Sequence, residues 1–207
     1  MNSSNTRLTN LARSPNVPFA VLLLLALTAY LLPWVLHPGI SVSLGGYDLA
    51  EWVSLHIPER PLLTMLLLRL PPACIAVLCA FRWGYPRFTR AWWLALGVVL
   101  AMGIALLPPL EFFTIFRDDP NYRQQFMLAL STVGIGALGL SGMLARLHKM
   151  IIVICCLAAM IASIIGLQGT WGLFAGLRLP TQLGLGSVLF CLWMLLIIGW
   201  QAMRVRR

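Results

Sequence analysis

The sequence has little charge. Only 10% of its 207 residues are Asp, Glu, Lys or Arg, against 60% hydrophobic, whereas soluble domains carry about a quarter charged residues. That scarcity excludes an ordinary soluble domain and points to lipid as the solvent. Acidic residues are scarcest, six against fifteen basic ones. The resulting +9 charge does not imply nucleic acid, because the basic residues are scattered between apolar runs and build no continuous basic face. Lysine occurs once, against fourteen arginines. That bias often accompanies GC-rich genomes, and it points to a bacterial source.

Chemistry-bearing patterns are missing too. The chain has no H-E-x-x-H, G-x-S-x-G, phosphate-binding P-loop or C-x-x-C. Its three histidines are His37, His56 and His148, and none falls in the middle of an apolar run. Five cysteines, Cys74, Cys79, Cys155, Cys156 and Cys191, all lie within apolar runs. An odd number in such places is no disulfide framework, and small apolar packing is the simpler use. The expectation is a protein that is not an enzyme and holds no cofactor or metal.

Long apolar runs are abundant. Six can be read, at roughly Val17–Leu36, Leu62–Phe81, Ala91–Leu107, Phe126–Ala145, Met150–Leu167 and Ser187–Met203. A helix needs about 20 apolar residues to cross the hydrocarbon. The runs are continuous rather than alternating, which excludes barrel strands and leaves helices, whose backbones satisfy themselves in lipid. The fold class expected is therefore all-α, a polytopic membrane bundle of about six transmembrane helices. The first run follows Arg7 and Arg13 but is longer than a secretory h-region and precedes no A-x-A site, so it reads as a retained anchor. Residues 1–16 read as a mobile cytoplasmic tail, 17–203 as the transmembrane domain, and 204–207 as a basic cytoplasmic end.

Orientation follows from charge. With the N-terminus inside, the inner segments hold ten basic residues (Arg7, Arg13, Arg82, Arg87, Arg90, Arg146, Lys149, Arg204, Arg206 and Arg207). The outer segments hold Arg60, Arg117, Arg123 and Arg178. This is the positive-inside bias, and all six acids fall outside. Both termini are expected in the cytoplasm, with the chain in the cytoplasmic (plasma) membrane of a bacterium.

The outer loops carry the variety. In "GGYDLAEWVSLHIPERP", Gly45 and Gly46 break the chain, and Asp48 with Glu51 reads as a capping box. Leu49, Trp52, Val53 and Ile57 form one apolar stripe, and Pro58 stops the turn. The reading is a short amphipathic helix on the outer membrane surface. The other reading makes Asp48 and Glu51 a pair for chemistry or metal binding. In "RDDPNYRQQF", Asp119 is an N-cap and Pro120 suits the first helical position, opening a helix expected to run to about Arg146. An aspartate-pair metal site there would lack a third ligand at helical spacing. The segment 169–185 reads as a surface turn or a re-entrant loop.

Two small-residue ladders mark close helix approach. One is Ala137, Ser141 and Ala145; the other is Ala158, Ala162 and Gly166. Only "RLHK" lies between their helices, so the ladders are expected to face each other, with contact to another protein as the alternative. Trp52, Ala137, Ser141, Ala158, Ala162 and Gly166 are the candidate interface residues.

Arg69 is the one charge within a span, in "LLLRLPPAC". Such a charge costs about 2.5–3.5 kcal/mol on insertion scales, although a long stem can reach towards the interface. Pro71 and Pro72 lack N–H groups, so the carbonyls of Leu67 and Leu68 lose their usual partners. One reading makes Arg69 a ligand-binding residue for an anion or lipid headgroup at a helix break. The other makes it a structural arginine, held by those carbonyls and by Glu51, Glu59 or Glu111. The stretch "SVSLGGYDLAEW…LLLRLPPACIAVLCA" resembles the second-span region of iron-siderophore and vitamin B12 ABC permeases. Arg69, Leu70 and Pro71 match their R-L-P-R element, and Pro72 replaces its last arginine. The rest of the chain shows nothing of that longer family, so the likeness implies no activity here.

Polar groups within the spans amount to Arg69, Thr64, Ser131, Thr132, Ser141, Ser163 and little else, a thin path for conduction. The function expected is a structural or accessory subunit of a larger membrane complex, with membrane lipids and other integral membrane subunits as partners and no nucleic acid. The alternative is a small transporter or channel with a lipid or anion site at Arg69.

Overall fold

The computed structural model describes residues 17–38, 43–54, 62–84 and 86–203. The two terminal segments, together with His56, Ile57, Pro58, Glu59 and Arg60, lie outside the described residues, as do the readings placed on them. Seven α-helices account for most of the described residues: α1 (Val17–Leu31), α2 (Gly46–Ser54), α3 (Leu62–Trp83), α4 (Arg90–Ala105), α5 (Pro120–Ser141), α6 (His148–Gly176) and α7 (Leu185–Met203). Short 3-10 turns occupy Leu110–Phe113 and Ala145–Leu147. Four helices, α3, α5, α6 and α7, are long and apolar enough to cross a membrane. The other two apolar helices, α1 and α4, have 15 and 16 residues. At 1.5 Å per residue they rise about 22–24 Å, short of the ~30 Å hydrocarbon.

The bundle is organised around α3. Of its most apolar stretch 72% is buried, against 33% for α5, α6 and α7. Helices α2, α4, α5 and α6 all pack on α3, while α7 joins α6 to α1. Small residues make the close approaches. A Cβ on Gly139 of α5 would stand 2.9 Å from the Phe81 ring and 3.0 Å from the Ala80 Cβ of α3. One on Gly166 of α6 would meet the Leu68 side chain at 3.0 Å.

The expected facing of α5 and α6 is therefore corrected. The two helices pack along α3 rather than along each other. Ala137 and Ala145 are exposed, and the buried face of α5 runs instead through Ala129, Thr132, Gly136 and Gly139. A shift of one residue turns a helical face by about 100°, which carries Ala137 off the packed face that holds Gly136. On α6, Ala158 is half-buried, whereas Ala162 and Gly166 are buried on the side that meets α3. Replacing Ala162 with Leu should lower the detergent melting stability by about 1–3 kcal/mol through overpacking. Leu157→Ile, on an exposed position, should change it little. A melting curve for Ala162→Leu that overlays wild type while a partner chain is lost would assign that face to an external contact.

Helix ends explain two further differences. Asp119 caps α5, its carboxylate accepting from the N–H groups of Asn121 and Tyr122, and Pro120 is the first helical residue, as the sequence suggests. The helix stops at Ser141, not near Arg146, because Gly142 takes a left-handed conformation at φ 70°. Helix α6 continues through the glycine-rich stretch to Gly176, so only residues 177–184 separate it from α7. That interval includes β3 (Gln182–Leu183), which joins β1 (Val35–Leu36) and β2 (Ser43–Leu44) in an antiparallel sheet of order β2-β1-β3. Buried Trp34 ties the sheet to the bundle: its backbone bonds Leu44 and Gly184, and its indole N–H donates to Ala29.

Candidate functional site

The site grows from Arg69, seven residues into α3. Its side chain is only 2% exposed. Nη2 donates to Oε1 of Glu51 on α2 at 2.8 Å, and Nη1 donates to Oδ1 of Asn121 on α5 at 2.8 Å. One guanidinium fork thus joins three helices. Nε has no hydrogen-bond partner among the described residues. Asn121 is itself buried, and it lies in the first turn of α5 because Asp119 and Pro120 fix that turn's start. Glu51 keeps 45% of its side chain exposed, so the cluster opens to the surface on the α2 side.

Helix α2 is not a free amphipathic helix on the membrane surface. Leu49, Ala50 and Val53 are fully buried, and the helix packs against α3. Trp52, a candidate interface residue, stacks within the molecule on Phe174 of α6, with ring centroids 4.5 Å apart. The capping box is shifted by one turn position. The helix begins at Gly46, and Asp48 reaches back to accept from the Gly45 N–H at 3.0 Å. Asp48 therefore fills the returning half of the box, which frees Glu51 for Arg69. Beside this pair, burial first and the Glu51 carboxylate second push the Tyr47 hydroxyl above its ordinary pKa, with Arg69 acting the opposite way.

The sequence places the carbonyls freed by the two prolines on Arg69, but its terminal nitrogens go to Asn121 and Glu51 instead. Tyr30 of α1 takes one of the freed carbonyls, donating to that of Leu68 at 2.9 Å. Leu68 stands four residues before Pro72, so this hydroxyl replaces the missing amide. Glu111 lies in the 3-10 turn and is exposed, whereas Glu51 is the acid that reaches Arg69. Tyr30→Phe leaves a buried carbonyl unpaired and should lower melting stability by about 1–3 kcal/mol, read by thermal unfolding in detergent.

Several hydroxyls of the long helices bond their own backbone. Thr132 donates to Leu128, Ser163 to Ala159, and Thr170 to Gly166. Ser141, a candidate interface residue, donates to Leu138, and its carbonyl accepts from Arg87. Such local bonds are the usual fate of hydroxyls in helices. Gln125 donates to the Leu107 carbonyl, while its own oxygen has no partner among the described residues.

At the opposite end Arg82 lies over the rings of Phe19 and Trp200, 5.4 and 5.5 Å from their centroids, joining α1, α3 and α7. A cleft of about 630 Å³ opens between α1 and α4, floored by α3. The chain matches no protein-family model, no curated protein and no solved structure.

Proposed function

We propose that the chain is a non-catalytic accessory or scaffold subunit of a larger assembly in the cytoplasmic membrane of a bacterium. In this reading all six apolar runs reside in the membrane, and both termini face the cytoplasm. One observation carries it: the single buried charge of the long helices is spent inside the protein, on Glu51 and Asn121. An arginine serving transport or ligand capture needs donors aimed at an open route. Here both terminal nitrogens are engaged, and the buried hydroxyls of Thr132, Ser163 and Thr170 bond their own helices. The broad apolar faces of α4 to α7 then remain for lipid and neighbouring subunits.

Purification in mild detergent tests the reading. The chain should elute with at least one other integral membrane chain in fixed ratio. Elution alone, together with solute uptake by vesicles holding only this chain, would contradict it. The second reading, a small transporter or channel with an anion or lipid site at Arg69, is favoured by the unpartnered Nε and by the half-exposed Glu51.

The orientation has its own check. Cysteines introduced at Ser43 and Thr114 should react with an impermeant thiol reagent from outside, and one at Thr89 should not. The reverse pattern would invert the topology. Equal labelling at Thr89 and Thr114 would remove α4 as a span.

A further inference from the structure

We infer that the cleft between α1 and α4 binds an acyl chain of an anionic glycerophospholipid, with the phosphate seated at Arg90. Its walls are α1, through Val17, Ala20 and Leu24, and α4, through Leu94 and Ala101; Ile75 and Cys79 of α3 form the floor. Both walls pack on α3 but not along each other, which leaves the trough open between them. Its volume, about 630 Å³, is within the roughly 300–1,000 Å³ of small-molecule sites. A transmembrane helix about 10 Å across and 30 Å long fills roughly 2,400 Å³. The cleft therefore suits a flexible chain, not a whole helix.

Charge separates its two ends. Val17, Trp83 and Ala91 mark one end, and Leu27, Ile75 and Met102 mark the other. Arg90 is exposed and adjoins Ala91 at the first end, where α4 begins. Arg82 and Arg87 are on the same side of the bundle, and the helix start adds its own positive field. The acids among the described residues, Asp48, Glu51, Glu111, Asp118 and Asp119, all lie on elements at the opposite end. Phe88, Trp92 and Trp93 cluster beside Arg90, with Phe88 and Trp93 exposed and the Trp92–Trp93 ring centroids 4.8 Å apart. Such aromatics mark headgroup depth in membrane proteins. Apolar trough and basic rim thus follow the order of acyl chain and phosphate, and the ring cluster marks the same level of the bundle without lining the cleft, Trp92 donating instead to the Leu140 carbonyl of α5.

Native mass spectrometry of the purified full chain, titrated with palmitoyl-oleoyl phosphatidylglycerol or phosphatidylcholine, tests this. Wild type should bind the first phosphatidylglycerol more tightly than phosphatidylcholine. Arg90→Gln should weaken phosphatidylglycerol about five-fold, the effect of one basic residue near an anionic lipid, and weaken phosphatidylcholine, whose choline cation already offsets its phosphate, by less. Ala20→Trp and Ala101→Trp fill the trough from opposite walls at exposed positions, and both should weaken either lipid. Arg146→Gln, in a different turn, should change neither. Equal affinity for the two lipids, or phosphatidylglycerol binding unchanged in Arg90→Gln, would overturn the anionic seat at Arg90. Unchanged lipid binding in both tryptophan variants would overturn the cleft itself, and loss of a co-purifying transmembrane chain instead of lipid would assign it to a protein. None of these outcomes bears on whether Arg69 is internally neutralised.

Discussion

Replacing Glu51 with leucine is expected to destabilise the bundle more than replacing Arg69 with leucine. The two residues form one ion pair, but their surroundings differ. Arg69 is 2% exposed, and Glu51 is 45% exposed. Removing Glu51 strands a buried guanidinium. Breaking a buried pair from one side costs about 3–5 kcal/mol. The low end, about 3 kcal/mol, applies because the half-exposed site admits water once the carboxylate is gone. Removing Arg69 leaves Glu51 free to hydrate and orphans only the buried Asn121 oxygen, for about 1–3 kcal/mol. Arg69→Lys keeps the charge but loses the planar fork, so one of the two partners is lost and the effect is smaller still. Thermal unfolding in detergent reads the order: Glu51→Leu lowest, then Arg69→Leu, then Arg69→Lys. An Arg69→Leu protein less stable than Glu51→Leu would contradict it.

The second large effect belongs to the crossing of α3 and α5. Gly139→Leu should cost about 3 kcal/mol or more, at or beyond the top of the usual overpacking range. The Cβ alone would come within 3.1 Å of the Ala80 carbonyl carbon and 2.9 Å of the Phe81 ring. Gly84→Ala presses on the same crossing from the residue that follows α3, with its Cβ against the carbonyl oxygens of Gly139 and Ala80. Backbone cannot swing aside as a side-chain tip can. Gly134→Ala is the control, since nothing stands within 4 Å of its Cβ. Unfolding midpoints for the three variants decide the matter; equal midpoints for Gly134→Ala and Gly139→Leu would remove the close crossing.

How much of this was legible depended on how local each signal is. Asp119 and Pro120 announced the start of α5 because capping and proline geometry act over three residues. The end of α5 was missed because Gly142 lies in an apolar run, where glycine serves packing as often as stopping. In α6 the opposite error arose. Gly169, Gly172 and Gly176 suggested a loop, yet the helix runs through all three, and a Cβ on Gly169 would collide with Thr64 of α3. Tertiary contact overrides propensity at such places. Glu51 could be named beforehand as a partner of Arg69, since acids are so few. Asn121 carried no such mark, because a first-turn asparagine looks like any solvated one. The Tyr30 bond had a faint signal in a tyrosine within an oily run and a carbonyl freed by Pro72, but only the fold brings them together. The facing of the small-residue ladders could not be read from chain proximity, because α3 occupies the place between α5 and α6.

The account rests on Arg69 serving the fold rather than a ligand, and a double-mutant cycle tests that most directly. Unfolding free energies of wild type, Arg69→Leu, Asn121→Leu and the double variant, measured in one detergent, give the coupling between the two side chains. Internal engagement of the guanidinium predicts a coupling of about 1–3 kcal/mol, with the double variant more stable than the sum of the single losses implies, and with unchanged retention of co-purified lipid. A coupling near zero, together with loss of bound lipid or anion in Arg69→Leu, would contradict it and make Arg69 the ligand site.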